Sequence, residues 1–310
     1  MILALFRLIR LPNLVIVALT QYLVYYILLI PAFRQAGIAP ALDGLHFNLL
    51  VITTVLITAG GNIFNDIVDF RIDLANRPEK VVINRKIRKE TAYWLYFCIN
   101  LLGFVTALYL AFYVNKVYLA NLFPLAVSML FLYSTHFKRL PFVGNFLIAL
   151  FCAGVAGIIW FAEREGFETL RGVAPEKAAQ AGLAITWYMV FAFMSTMFRE
   201  IIKDMEDLQG DLGANCRTIP ALWGIGVGKA SAAFFGLGLL AFLIYLPFRQ
   251  PEWFTRPSLY YLFFVIALPL SIALVLLIRS NGKKAFYNLS QLAKLIMLSG
   301  LAMLLLLALK

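Results

Sequence analysis

Nine stretches of about twenty residues in this chain carry almost no polar side chain, the length that crosses a bilayer core as a helix. They lie near residues 12–31, 47–65, 92–113, 117–135, 142–161, 180–200, 220–246, 258–278 and 286–309. Stretches such as "LLGFVTALYLAFYV" and "LAMLLLLALK" have no polar face. They fit neither the apolar stripe of a surface helix nor the alternation of a half-exposed strand. Pro12, Pro31, Pro141, Pro220 and Pro257 fall at or near the ends, where a helix best tolerates a missing N–H. The pattern predicts an all-α, polytopic membrane protein of nine transmembrane helices forming a single domain over 1–310. The first run has early arginines, as a signal peptide does. It is too long for an h-region and shows no small-residue cleavage site, so it is expected to stay as the first span.

Composition sharpens this reading. Of 310 residues, 62% are hydrophobic and only 14% charged; a soluble chain of this size carries roughly 25% charged residues. The net charge is +11. Its placement explains it: 17 of the 27 lysines and arginines fall in the N-terminal segment and the loops after spans 2, 4, 6 and 8. That side is expected to be cytoplasmic, with the C-terminus on the other. No nucleic-acid partner is needed to account for the charge. Cys98, Cys152 and Cys216 stand apart with no C-x-x-C spacing and no histidine cluster, which argues against a disulfide framework or zinc site.

Two acidic patterns interrupt the apolar background. "NIFNDIVDFRID" carries Asp66, Asp69 and Asp73; "KDMEDLQGD" carries Asp204, Asp207 and Asp211. Both read D-x-x-D-x-x-x-D, 138 positions apart, each after an even-numbered span. Four intervening spans preserve direction across the membrane, which predicts two parallel halves with both motifs on the cytoplasmic side. On a helix, offsets of 0, 3 and 7 fall at about 0°, 300° and 340°, so each trio shares a face. Asn62 joins the first face and Asn65 lies beside it. Clustered carboxylates depend on a cation or on basic partners. Oxygen ligands without His or Cys favour Mg²⁺ or Ca²⁺. Two clusters facing each other would make a Mg²⁺–diphosphate clamp. Arg199 and Lys203, Lys138 and Arg139, and Arg71, Arg77 and Lys80 are the cations at hand for phosphate oxygens. His136 reads as an interfacial polar residue.

"NDIVDFRID" fits the N-D-x-x-D-x-x-x-D signature of the UbiA-type intramembrane prenyltransferases. "REIIKDMEDLQGD" resembles that family's second aspartate-rich motif, "YSTHFKRLPFVGN" its segment between spans 4 and 5, and "RLIRLPN" its N-terminal R-x-x-N. The resemblance covers nearly the whole chain, and the second motif is most similar to the archaeal-type ether-lipid branch and its bacterial relatives. It implies nine helices around a central cavity and Mg²⁺ as cofactor. It implies a prenyl (geranylgeranyl) diphosphate donor and a lipophilic acceptor within the membrane, here a glycerol-phosphate ether-lipid precursor. Carried over, Asn65, Asp69 and Asp73 match the first metal motif, with Asp66 beside them; Asp204, Asp207 and Asp211 match the second. Asn65, Asp69, Asp207 and Lys203 take the catalytic roles. Arg199, Lys203, Lys138, Arg77, Lys80 and Asn13 take the diphosphate. The loop after the first motif departs from the family: "NRPEKVVINRKI" replaces N-R-P-x-R-P-I-x-x-G, with Lys80 for arginine, Val81 for proline and no glycine. The implied location is the cell (inner) membrane, with the site facing the cytoplasm.

A transporter of an anionic or divalent solute would also explain paired charges, but not why both acidic motifs lie at one membrane face. An aromatic prenyltransferase of quinone synthesis is the alternative inside the family. The sequence leaves oligomeric state open.

Overall fold

The computed structural model describes residues 2–307 except Arg77; the side chains of Ala75, Asn76 and Lys80 also lie outside it. Two of the expected diphosphate contacts, Arg77 and the Lys80 side chain, therefore fall outside the described residues. Helices run in the order α1 Ile2–Leu8, α2 Leu11–Gln35, α3 Gly44–Asn76, α4 Lys89–Tyr113, α5 Leu122–Thr135, α6 Val143–Ala162 and α7 Arg164–Val173. They continue as α8 Pro175–Gly213, α9 Ile219–Arg249, α10 Arg256–Arg279 and α11 Lys283–Met303. Among the described residues, nine helices are long and apolar enough to cross a membrane, as the hydropathy pattern predicts. The only β pairing among them is an isolated bridge between Ile83 and Ile87.

The second and sixth spans extend well beyond the apolar windows. Hydropathy ends near residues 65 and 200, but α3 continues to Asn76 and α8 to Gly213. Hydropathy registers side chains, whereas the helix is held by backbone bonds that Asp, Glu and Lys do not interrupt. At 33 and 39 residues, these helices reach about 50 and 58 Å at 1.5 Å per residue, beyond a hydrocarbon core of about 30 Å. Both acidic motifs therefore ride on helical extensions, not in loops.

The chain divides into two compact units, residues 1–22 with 40–139, and residues 23–39 with 140–310. The break inside α2 falls where its α-helical turns give way to a π-helical stretch, Val24–Leu29. In the first unit α3 packs on α4 and α5. Gly103 lets α4 and α5 approach each other: a Cβ there would stand 2.6 Å from the Phe123 ring. Beneath the first motif, Ala4, Leu8, Ile63, Ile67, Val82, Ile83, Ile87 and Ala92 form a buried cluster. The segment that departs from the family pattern supplies three of them. Its tight turn is closed by Asn84 N–H to the Ile87 carbonyl (2.8 Å) and Lys86 N–H to the Val82 carbonyl (2.9 Å), with Asn84 in the left-handed region at φ 57°. The lost proline and glycine are thus replaced by an apolar plug.

In the second unit α8 is the central element, packed on α6, α9 and α11. Phe198, Ile201, Ile202 and Met205 of α8 sit in its core with Leu239, Leu270, Phe286 and Ile296. α11 comes close to α8 at Gly300, where a Cβ would stand 1.9 Å from the Phe191 ring.

Candidate functional site

In the first unit, each of two motif aspartates meets a cation supplied by another part of the chain. Arg10, in the turn between α1 and α2, donates from Nη2 to Asp66 Oδ1 at 2.7 Å. Lys138, in the 3₁₀ turn after α5, pairs through Nζ with Asp69 Oδ1. Asn65 Nδ2 donates to Asp69 Oδ2 at 2.7 Å, one helical turn apart. The Lys138–Asp69 pair is largely sheltered, at 11% and 15% side-chain exposure. Asp73, one turn further on, lies within electrostatic range of Arg10. The structure thus brings Asn65 and Lys138 to Asp69 and Arg10 to Asp66; helical spacing accounts for Asn65 beside Asp69, whereas Lys138 comes from another part of the chain. Asn62, one turn before Asp66 on the same face, donates to the Ile9 carbonyl at 3.0 Å and ties α3 to the N-terminal turn beside Arg10. Asn13 is half-buried in the first turn of α2, three residues past Arg10.

In the second unit Asp204 accepts from Asn145 Nδ2 at 2.8 Å, with Asn145 buried at the start of α6. Asp211 accepts from Thr218 Oγ1 at 3.2 Å. Glu200 holds both motif cations: Arg199 Nη1 lies 2.5 Å from Oε1, and Lys203 Nζ lies 3.6 Å from Oε2. Glu206, buried, accepts from Ser290 Oγ at 3.1 Å.

Arg10, Asn145, Glu200 and Glu206 were not singled out by the sequence reading. Arg10 and Asn145 stand inside two of the segments that carry the family resemblance, as the arginine of R-x-x-N and the last residue of "YSTHFKRLPFVGN". Nothing local marks their role, because their partners lie 56 and 59 residues away. His136 is exposed and bonds its neighbour Thr135 at 2.7 Å, in keeping with an interfacial residue.

Among the described residues, no three His, Cys, Asp or Glu side chains converge as a ready-made metal cage. The donors available are hard oxygens in pairs, with amides and ammonium groups between them. That set fits Mg²⁺, which usually takes one or two carboxylates and completes its octahedron with water and phosphate oxygens.

Residues 14–301 match the UbiA prenyltransferase family, and the chain belongs to it. With nine helices among the described residues long and apolar enough to cross a membrane, it is an integral multi-pass membrane protein. It is 34% identical to the digeranylgeranylglyceryl phosphate synthase of Thermococcus gammatolerans over 199 residues, 63% of either chain. It is 27% identical to that of Sulfurisphaera tokodaii over 282 residues, 91% of this chain and 90% of the other. The chain thus matches just under two thirds of the length of the Thermococcus protein. Its fold is similar to a digeranylgeranylglyceryl phosphate synthase structure at a TM-score of 0.65 and 22% identity, covering 98% of this chain and 96% of that one. It is similar also to a UbiA homologue from Archaeoglobus fulgidus bound to DMAPP and Mg²⁺, at a TM-score of 0.55 and 16% identity over 97% and 98% of the two chains.

Proposed function

We propose that this protein transfers a geranylgeranyl group from its diphosphate to the hydroxyl of a glycerol-phosphate ether lipid, releasing diphosphate, with Mg²⁺ as cofactor. The observation that carries the reading is the pair of helix-borne carboxylate clusters, each threaded with cations, in a chain of the UbiA family. The names of the relatives and the ligands of the A. fulgidus homologue support the substrate class. We place the protein in the cell membrane with both motifs toward the cytoplasm, following the excess of Lys and Arg on that side.

Asn65, Asp66, Asp69 and Asp73, with Asp204, Asp207 and Asp211, are the residues that would hold Mg²⁺. When bound, the ion neutralises negative charge growing on the diphosphate as the allylic C–O bond breaks. Lys138, Arg199 and Lys203 stabilise the same charge by charge-assisted hydrogen bonds to phosphate oxygens. Asn65 orients Asp69 through the bond it already makes. Arg10 and Asn145 hold Asp66 and Asp204 in place. The apolar spans exclude water from the prenyl cation, so that the acceptor hydroxyl and not water attacks it. A glycerol hydroxyl is a weak nucleophile, so ionisation of the donor leads, and the hydroxyl proton passes to the released diphosphate as the ether bond forms.

The test is a side-by-side incubation of the purified protein with geranylgeranyl diphosphate and either geranylgeranylglyceryl phosphate or aromatic acids, with products read by mass spectrometry. An Mg²⁺-dependent diether phosphate is expected. Prenylated aromatic product alone would overturn the acceptor assignment; diphosphate release with neither acceptor nor Mg²⁺ required would overturn the transfer.

A further inference from the structure

Lys294 lies in the middle of α11, a few residues past Ser290 and Gln291, inside the last candidate membrane span. An ionisable group at that depth is costly unless it has a partner. Lys294 is half-buried and makes no hydrogen bond or ion pair to any described residue.

Its surroundings follow from two contacts. Ser290 Oγ donates to Glu206 of α8 at 3.1 Å, and Gly300 abuts Phe191 of the same helix. The two helices are therefore antiparallel neighbours, and Lys294, between these contacts, falls opposite the turn that carries Arg199 and Lys203. Its charge is within range of the Arg199 guanidinium. Like charges side by side in a low-dielectric setting repel. Glu200 relieves the pair only in part, since its two oxygens already serve Arg199 and Lys203. Arg199 Nε is buried and meets no acceptor among the described residues. Two cationic side chains, each with a donor unused, thus face one another along the α8–α11 seam.

We propose that Lys294 and Arg199 form a phosphoryl-binding subsite in the second unit, closed when a phosphate oxygen of a lipid-tailed substrate accepts from both. The inference rests on the prenyl-transfer reading for the chemical class of its ligand. A planar guanidinium with a free edge suits phosphate oxygens, and a lysine supplies a second, point-like charge. Arg199 is five residues before Asp204, about 7.5 Å along the helix toward the interior of the span. A phosphate at that depth belongs to a molecule whose tail is in the membrane. The donor diphosphate and the acceptor monophosphate share this chemistry, and the experiment separates them.

Lys294→Met keeps the length and apolar stem of the side chain; Lys294→Arg keeps the charge. Kd for geranylgeranyl diphosphate and for geranylgeranylglyceryl phosphate is measured by calorimetry in detergent, KM for each under turnover, and melting temperature alongside. Lys294→Met is expected to weaken one of the two lipids about tenfold, the loss of one charge-assisted hydrogen bond. The other lipid stays within about twofold, the melting temperature does not fall, and Lys294→Arg recovers most of the binding. Whichever lipid is weakened identifies whose phosphate the subsite takes. Unchanged Kd for both lipids, or a fall in melting temperature with equal loss of both, would overturn the subsite. A wild-type protein that binds both lipids but forms no ether product sinks the transfer reading and leaves the subsite standing.

Discussion

Lys138→Met removes the cation that faces Asp69 and leaves the rest of its surroundings in place. The two side chains are 11% and 15% exposed, so water replaces little of what is lost. Breaking a buried ion pair from one side costs about 3–5 kcal/mol, because the remaining charge is stranded. Asp69 keeps the amide of Asn65 at 2.7 Å, and a hydrogen bond to a charged group is worth about 1.5–3 kcal/mol. The expected loss is therefore near the lower bound, about 3 kcal/mol. Asp69→Asn strands Lys138 in turn, whereas the double variant carries neither charge. Unfolding free energies of the four proteins, from denaturant titration in mixed micelles, should show a coupling of about 2–3 kcal/mol between the two positions. A second readout follows from the proposed chemistry. Mg²⁺ should recover much of the stability of Lys138→Met, since a divalent cation can take the place of the ammonium, and should do little for the double variant. Additivity within about 0.5 kcal/mol, or an equal Mg²⁺ effect on all four proteins, would refute the assignment of Lys138 as the counter-charge of Asp69.

Asp207→Ala and Asp69→Ala should each abolish Mg²⁺-dependent diphosphate release while the protein stays folded by size exclusion; near-normal turnover at limiting Mg²⁺ would remove these residues from the metal set. Cysteine labelling should place the 66–90 segment on the cytoplasmic side, and modification by an impermeant reagent from outside the cell would reverse the topology. Asp43, at the N-terminus of α3, accepts from the His46 backbone N–H at 2.9 Å and the His46 ring at 2.8 Å. These bonds, the backbone one first, hold its carboxyl below the usual carboxylate range. The stability it contributes is full above its unfolded value of about 3.9 and is lost as pH falls through the lower folded value. Amide exchange at the start of α3 should thus accelerate only in strong acid, and Asp43→Ala should accelerate it at neutral pH.

The hydrophobic runs foretold every span because a bilayer leaves few other ways to satisfy the backbone. That each aspartate trio shares a helix face was legible for a related reason, since offsets of three and seven residues are a property of the helix alone. What escaped was tertiary. Arg10 and Asn145 act on aspartates dozens of positions away, and neither differs locally from an anchoring arginine or a polar loop residue. Glu200 was hidden by company, an acid between two cations in a segment where the aspartates drew the reading. "VVINRKI" looked like erosion of a family pattern. Its meaning is packing: Val82, Ile83 and Ile87 reach the cluster beneath α1, and only the fold shows that those residues have somewhere to go.

The carboxylates sit on uninterrupted helical extensions, and this bears on the thermodynamics of capture. A loop that must order around a ligand surrenders about 1–2 kcal/mol of backbone entropy for each residue it fixes. α3 and α8 have no such freedom left to surrender, because their backbones were immobilised when the spans entered the bilayer. Ligand affinity can then track charge and dehydration directly, with a small entropic penalty and little induced change in heat capacity. The same rigidity restricts adaptation. A helix cannot reshape itself around a bulkier headgroup as a loop can, so relatives that accept different partners must vary the residues around these aspartates, and not their spacing.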